Sequence, residues 1–131
     1  MENKKKRILL VDDEPSIVKM VAKRLEVAGY EVLTAMDGEA GLEAAKTQSP
    51  DLVILDLMLP KLNGFEVCSL LKKDPRSQGI PVIMLSARVH EKDEKTGLEC
   101  GADVYMRKPF QSQEFVEQVR ALVESSGAAP D

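Results

Sequence analysis

Ile8-Leu9-Leu10-Val11-Asp12-Asp13-Glu14-Pro15 is the stretch on which the fold turns. Four aliphatic residues without a polar interruption suit a strand covered on both faces, as in a parallel sheet. The acidic run Asp12-Asp13-Glu14 ends that strand abruptly. Pro15 then fits the first turn of a helix, where its missing N–H would have had no partner anyway. Ile17, Val21 and Leu25 follow on one helical face, and Gly29 stops the helix.

The same unit recurs along the chain. Short aliphatic or β-branched runs lie at 8–11, 32–35, 52–55, 82–85 and 104–106. Helical patterns separate them at 39–47, Gly64–Lys73 and 91–100. A last helix is expected after Ser112, a candidate N-cap, with Phe115, Val116, Val119, Leu122 and Val123 as its apolar stripe. Five strand-then-helix units predict an α/β domain, a doubly wound five-stranded parallel sheet with helices on both faces. The fourth helical segment is nearly all charged and contains Gly97, which costs about 1 kcal/mol relative to Ala. It fits either a solvated helix or an element held loosely enough to move.

The 131 residues make one domain. Its body is expected at 7–124, after a basic flank at 1–6. Ser125-Ser126-Gly127-Ala128-Ala129-Pro130-Asp131 reads as a flexible tail or the start of a linker. A formal charge of −4, from 22 acidic and 18 basic residues, lacks the clustered basic face of a nucleic-acid binder. Lys4-Lys5-Lys6-Arg7 is a solvated flank before the first strand. No apolar run nears the roughly 18 residues of a membrane span, and the polar start is no signal peptide. The expectation is a soluble, cytoplasmic chain. Cys68 and Cys100 have neither metal-ligand spacing nor a disulfide pattern, and read as small core hydrophobes.

In a parallel α/β sheet, chemistry gathers beyond the carboxyl ends of the strands. The first strand ends in Asp12-Asp13, the third in Asp56 and the fourth in Ser86, and Lys108 follows the fifth. Each residue alone has a bland explanation: a helix start, a loop opening, a cap, a solvated charge. Their joint occurrence at one edge does not. Two carboxylates about 5 Å apart repel by roughly 3 kcal/mol at an effective dielectric of 20. Three of them call for a cation, and a hard divalent ion held by few carboxylates and several waters fits, with Mg2+ foremost. Metal, lysine and an in-line carboxylate nucleophile together suit phosphoryl transfer.

Asp12-Asp13, Leu55-Asp56-Leu57-Met58-Leu59-Pro60, Asn63-Gly64, Leu85-Ser86-Ala87 and Lys108-Pro109-Phe110 resemble the motifs of response-regulator receiver domains in two-component signalling. The match runs from about residue 7 to 124 with order and spacing intact. It implies the strand order 2-1-3-4-5. It implies Asp56 as phosphoacceptor, charged by a sensor histidine kinase or a histidine phosphotransfer protein. Asp13, Asp56 and the backbone carbonyl of Met58 would hold Mg2+, with Asp12 assisting, often through water. Ser86 would bond the phosphoryl oxygen, Lys108 would pair with Asp56 or its phosphate, and Tyr105 would turn inward as Ser86 moves. A cis bond before Pro109 is implied as well. Such a domain catalyses only its own phosphorylation and dephosphorylation, so the expectation is a signalling phosphoprotein and not an enzyme.

Met58 and Arg88 occupy the two positions that tune dephosphorylation in that family. The stretch 85–110 is also similar to the winged-helix transcription-factor subfamily. Thr96, Val104 and Gln118, however, stand where that subfamily usually has Arg, Asp and Arg for intersubunit ion pairs. A monomer or weak dimer is expected, with an effector docking on the fourth helix, fifth strand and fifth helix. Two rivals fit less well. An aspartate-nucleophile phosphatase of the haloacid-dehalogenase type needs an acid two residues after the nucleophile, where Met58 stands. A flavin-binding electron carrier needs a phosphate cradle where Asp12-Asp13-Glu14 would repel one. His90, the single histidine, reads as a surface residue.

Overall fold

A computed structural model describes residues 5–59, 61–86, 95–96, 99–108 and 111–127. Strands β1 (Arg7–Val11), β2 (Glu31–Ala35), β3 (Leu52–Asp56), β4 (Val82–Ser86) and β5 (Val104–Arg107) pair in parallel, in the order β2-β1-β3-β4-β5. Helices α1 (Pro15–Val27), α2 (Gly38–Gln48) and α3 (Gly64–Lys73) lie between them, and a C-terminal helix spans Ser112–Gly127. The α/β fold is as the sequence pattern predicts, and the strand order is the one the family resemblance implies. The charged segment expected at 91–100 falls mostly outside the described residues.

The uninterrupted apolar strands have a direct cause. Strand side chains alternate between faces, and here both faces are covered. Leu9, Val11, Val53, Leu55, Val82 and Met84 pack with Ala45 of α2 and Val67 and Leu71 of α3. Ile8, Leu10, Leu52, Ile54, Ile83 and Leu85 pack on the other side with Val21 and Leu25 of α1 and with Phe115 and Val119 of the C-terminal helix.

Helix ends follow local chemistry. Pro15 opens α1, and Gly29, at φ +102°, takes the left-handed turn after it. Asp37 caps α2 by accepting from the Ala40 N–H at 2.8 Å, so α2 begins one residue before the expected 39–47. Asn63 and Glu66 form a reciprocal capping box at α3, each accepting from the other's backbone N–H at 2.9 Å. The C-terminal helix corrects one expectation. Ser112 is its first residue and not its cap, because the Phe115 N–H already donates to the Gln111 carbonyl at 2.9 Å. Its backbone stays helical to Gly127, three residues past the expected body. Among the described residues, no helix is long and apolar enough to cross a membrane.

Candidate functional site

The sheet reverses its winding at β1, which pairs with β2 on one side and β3 on the other. In open α/β sheets a crevice forms beyond the carboxyl ends of the strands at such a switch point. Asp12 and Asp13 leave β1 there, and Asp56 closes β3. Period-two alternation decides which neighbours they meet. The parity that puts Ile8 and Leu10 on one face carries on to Asp12, and the parity of Leu52 and Ile54 carries on to Asp56. The parity of Val104 and Met106 reaches Lys108. Backbone bonds extend the sheet to this edge: Asp12 N–H donates to the Ala35 carbonyl at 3.1 Å, Leu57 N–H to Leu85 at 3.0 Å and Lys108 N–H to Ser86 at 2.7 Å.

Carboxylate oxygens of Asp12, Asp13 and Asp56 all lie within 4.8 Å of one another. Asp12 and Asp56 are 1% and 8% exposed, whereas Asp13 faces solvent. Lys108 Nζ donates to Asp12 Oδ2 at 3.2 Å and to Asp56 Oδ1 at 3.4 Å. One ammonium thus serves two buried carboxylates, with the Asp12 contact the shorter. Asp12 also accepts from the Glu14 N–H at 3.0 Å, which fixes its other oxygen. Burial pushes the Asp56 carboxyl above its ordinary range. The charge of Lys108 opposes that rise, the charge of Asp12 adds to it, and bonds from Lys108 and the Met58 backbone oppose it. Three oxygen donors at this spacing, with one shared cation, suit a hard divalent ion such as Mg2+.

Ser86 is fully buried at the end of β4. Tyr105 packs against the core beneath α2 and α3, and its buried hydroxyl has no hydrogen-bond partner among the described residues. Met58 turns its side chain outward, 60% exposed. Gly64, in the Asn63-Gly64 motif, has a packing role that the sequence alone does not show. A Cβ there would lie 2.7 Å from the Asp56 carbonyl oxygen and 2.9 Å from Leu57 Cα. The start of α3 therefore sits directly on the end of β3, and only glycine permits that approach. Pro60, Ala87, Arg88, His90, Pro109 and Phe110 lie outside the described residues, as do the cis bond and the dephosphorylation position tied to them.

A buried Asp–Lys–Asp cluster at the switch point of a 2-1-3-4-5 sheet defines a receiver-type α/β domain. The family model for the response regulator receiver domain matches residues 8–120. This chain belongs to that family of two-component signalling domains. It is 48% identical over 124 residues to the alkaline phosphatase synthesis transcriptional regulatory protein PhoP of Bacillus subtilis, covering 95% of this chain and 51% of the relative. It is 46% identical to the DNA-binding dual master transcriptional regulator RpaA of Synechocystis, over 95% of this chain and 52% of that one. The chain spans about half the length of the curated relatives it matches. A CheY-like receiver domain protein from Methanospirillum hungatei superposes with a TM-score of 0.89 at 28% identity, covering 97% of this chain and all of that one. The receiver domain of a histidine kinase from Syntrophus aciditrophicus gives 0.87 at 31% identity, covering 96% and 94%.

Proposed function

We propose that this domain accepts a phosphoryl group on Asp56 from the phosphohistidine of a sensor histidine kinase or a histidine phosphotransfer protein, with Mg2+ bound beside it. The observation that carries the reading is the cluster of three carboxylates within 4.8 Å, two of them buried and sharing Lys108. An Asp56 oxygen attacks the phosphorus in line, the phosphorus–nitrogen bond breaks, and the histidine nitrogen leaves with its electron pair and takes up a proton. Asp13 and Asp56 would hold the metal with the Met58 carbonyl, and Asp12 would assist. The metal would supply positive charge against the phosphoryl oxygens. Lys108, already between two carboxylates, moves its donors onto the new anion. Ser86 bonds a phosphoryl oxygen, and Tyr105, beneath α2 and α3, follows it.

The face made by the fourth helical segment, β5 and the C-terminal helix then docks an effector. Curated relatives are named as DNA-binding regulators, so the output proposed for a longer protein is transcriptional, while this domain itself leaves nucleic acid uncontacted. Thr96, Val104 and Gln118 lack the charges of the transcription-factor dimer, so a monomer or weak dimer is proposed. The working unit is 7–124, acting in the cytoplasm.

Incubation with Mg2+ and a small acyl-phosphate donor is expected to add one phosphate to the wild type and none to Asp56→Asn. Equal phosphate on the variant, measured by intact mass, would overturn the assignment.

A further inference from the structure

Cys68 and Cys100 stand 32 positions apart with no disulfide spacing, yet the fold brings them together. Cys68, buried in α3, points its Sγ at the Cys100 carbonyl oxygen, 3.5 Å away. Ordinary bond lengths then place that sulfur within about 6 Å of the Cys100 Cα. A disulfide, in which Cα and the partner sulfur lie about 4 Å apart, forms with a shift of up to about 2 Å in the Cys100 segment. The surrounding loop is already pinned to α3. Gly101, at φ +106°, lies against the stem of Lys72, one turn along α3 from Cys68, and a Cβ there would sit 2.6 Å from Lys72 Cγ. The Lys72 ammonium donates to the Ile80 carbonyl at 2.8 Å and pairs with Asp103 at 3.5 Å. The segment 101–103 is thus held against α3 through Lys72.

We propose that Cys68 and Cys100 form a reversible intramolecular disulfide, a redox site that ties α3 to the segment entering β5. Burial pushes the Cys68 thiol up to about 11, with Lys72 opposing that rise and the neighbouring Cys100 adding to it. Cys68 is therefore a poor first nucleophile, whereas Cys100 is partly exposed. Oxidation by a peroxide begins at Cys100. Its thiolate attacks one peroxide oxygen, the O–O bond breaks, and a sulfenic acid and one water form. Cys68 then gives up its proton and its sulfur displaces hydroxide from the Cys100 sulfur, releasing a second water. Two electrons pass from the sulfurs to the peroxide. Reduction by a dithiol reverses the bond through thiol–disulfide exchange. Such a bond suits a transient, sensing role in a reducing compartment.

The test treats the 131-residue chain with hydrogen peroxide, alkylates it in denaturant and measures its mass. Both thiols are expected to disappear together, with loss of two hydrogens, a Cys68–Cys100 linked peptide and full recovery on reduction. Hydrogen exchange across 99–107 is expected to slow by about tenfold in the oxidised monomer. In Cys100→Ser, Cys68 is expected to stay reduced under the same treatment; this variant keeps the buried Cys68, so the test survives even if Cys68→Ser does not fold. An intermolecular dimer, sulfinic acid on Cys100 beside a free Cys68, no oxidation at all, or equal Cys68 oxidation in Cys100→Ser would each overturn the proposal.

Discussion

The two edges of the sheet treat their carboxylates in opposite ways. At the amino edge, Asp51 accepts from the Arg7 N–H at 2.8 Å, and Asp103 accepts from the Val82 N–H at 2.8 Å. Each of these residues precedes a strand and ties off the start of its neighbour, so each has a backbone donor of its own. Asp103 adds Lys72 at 3.5 Å. At the carboxyl edge, Asp12, Asp13 and Asp56 crowd together, and the two buried ones share one ammonium. The amino edge uses acid to close the fold. The carboxyl edge holds acid that the fold leaves short of compensation, which is the condition for binding something positive or for reacting.

The sharpest way to break that contrast is at Gly64, where backbone and site meet. Gly64→Ala is expected to cost about 3 kcal/mol, because the added Cβ meets the Asp56 carbonyl and Leu57 Cα, neither of which is a flexible side-chain end. Denaturant unfolding checks it, and an unchanged midpoint would show that α3 can lift off β3 freely.

Next in size is the amino edge. Asp103→Ala leaves the Val82 N–H without its partner and is expected to cost about 1–3 kcal/mol while leaving phosphoryl acceptance intact. A variant of full stability, or one that folds but no longer accepts phosphate, would erase the distinction between the edges.

The smallest effect has the opposite sign. Burial raises the Asp56 carboxyl above its unfolded value, so the protonated form favours the fold. That contribution is complete below the unfolded value and is lost as pH rises through the raised folded value. Without added metal, Asp56→Asn is therefore expected to be more stable than wild type at neutral pH by about 0.5–2 kcal/mol. The gap should close on acidification, and a variant less stable than wild type at neutral pH would contradict it.

Much of this was legible in the sequence for a physical reason. A strand covered on both faces must be apolar throughout, so Ile8 to Val11 and Leu52 to Leu55 announced themselves. The site residues were legible because parallel strands end on one edge, which lines up Asp12, Asp56 and Ser86 without knowledge of a contact. Helix ends were less legible. Ser112 looked like a cap, but Gln111 accepts the first bond, and Ser125, Ser126 and Gly127 continue a helix whose stability comes from Phe115, Val119 and Val123 further back. The capping box was there to be read in Asn63 and Glu66. The roles of Gly64, Asp51 and Asp103 were not, because each depends on how closely a distant strand or helix approaches.

Magnesium titration followed by calorimetry tests the contrast most directly, run on wild type, Asp13→Asn and Asp103→Asn. Wild type is expected to bind one magnesium ion and to unfold at higher temperature with it, since a ligand that binds only the folded state stabilises it. Asp13→Asn is expected to lose at least about tenfold in affinity, the equivalent of about 1.4 kcal/mol, while Asp103→Asn binds as wild type does. Equal binding by Asp13→Asn, or no binding by the wild type, would contradict the claim that the carboxyl edge is built to bind a cation.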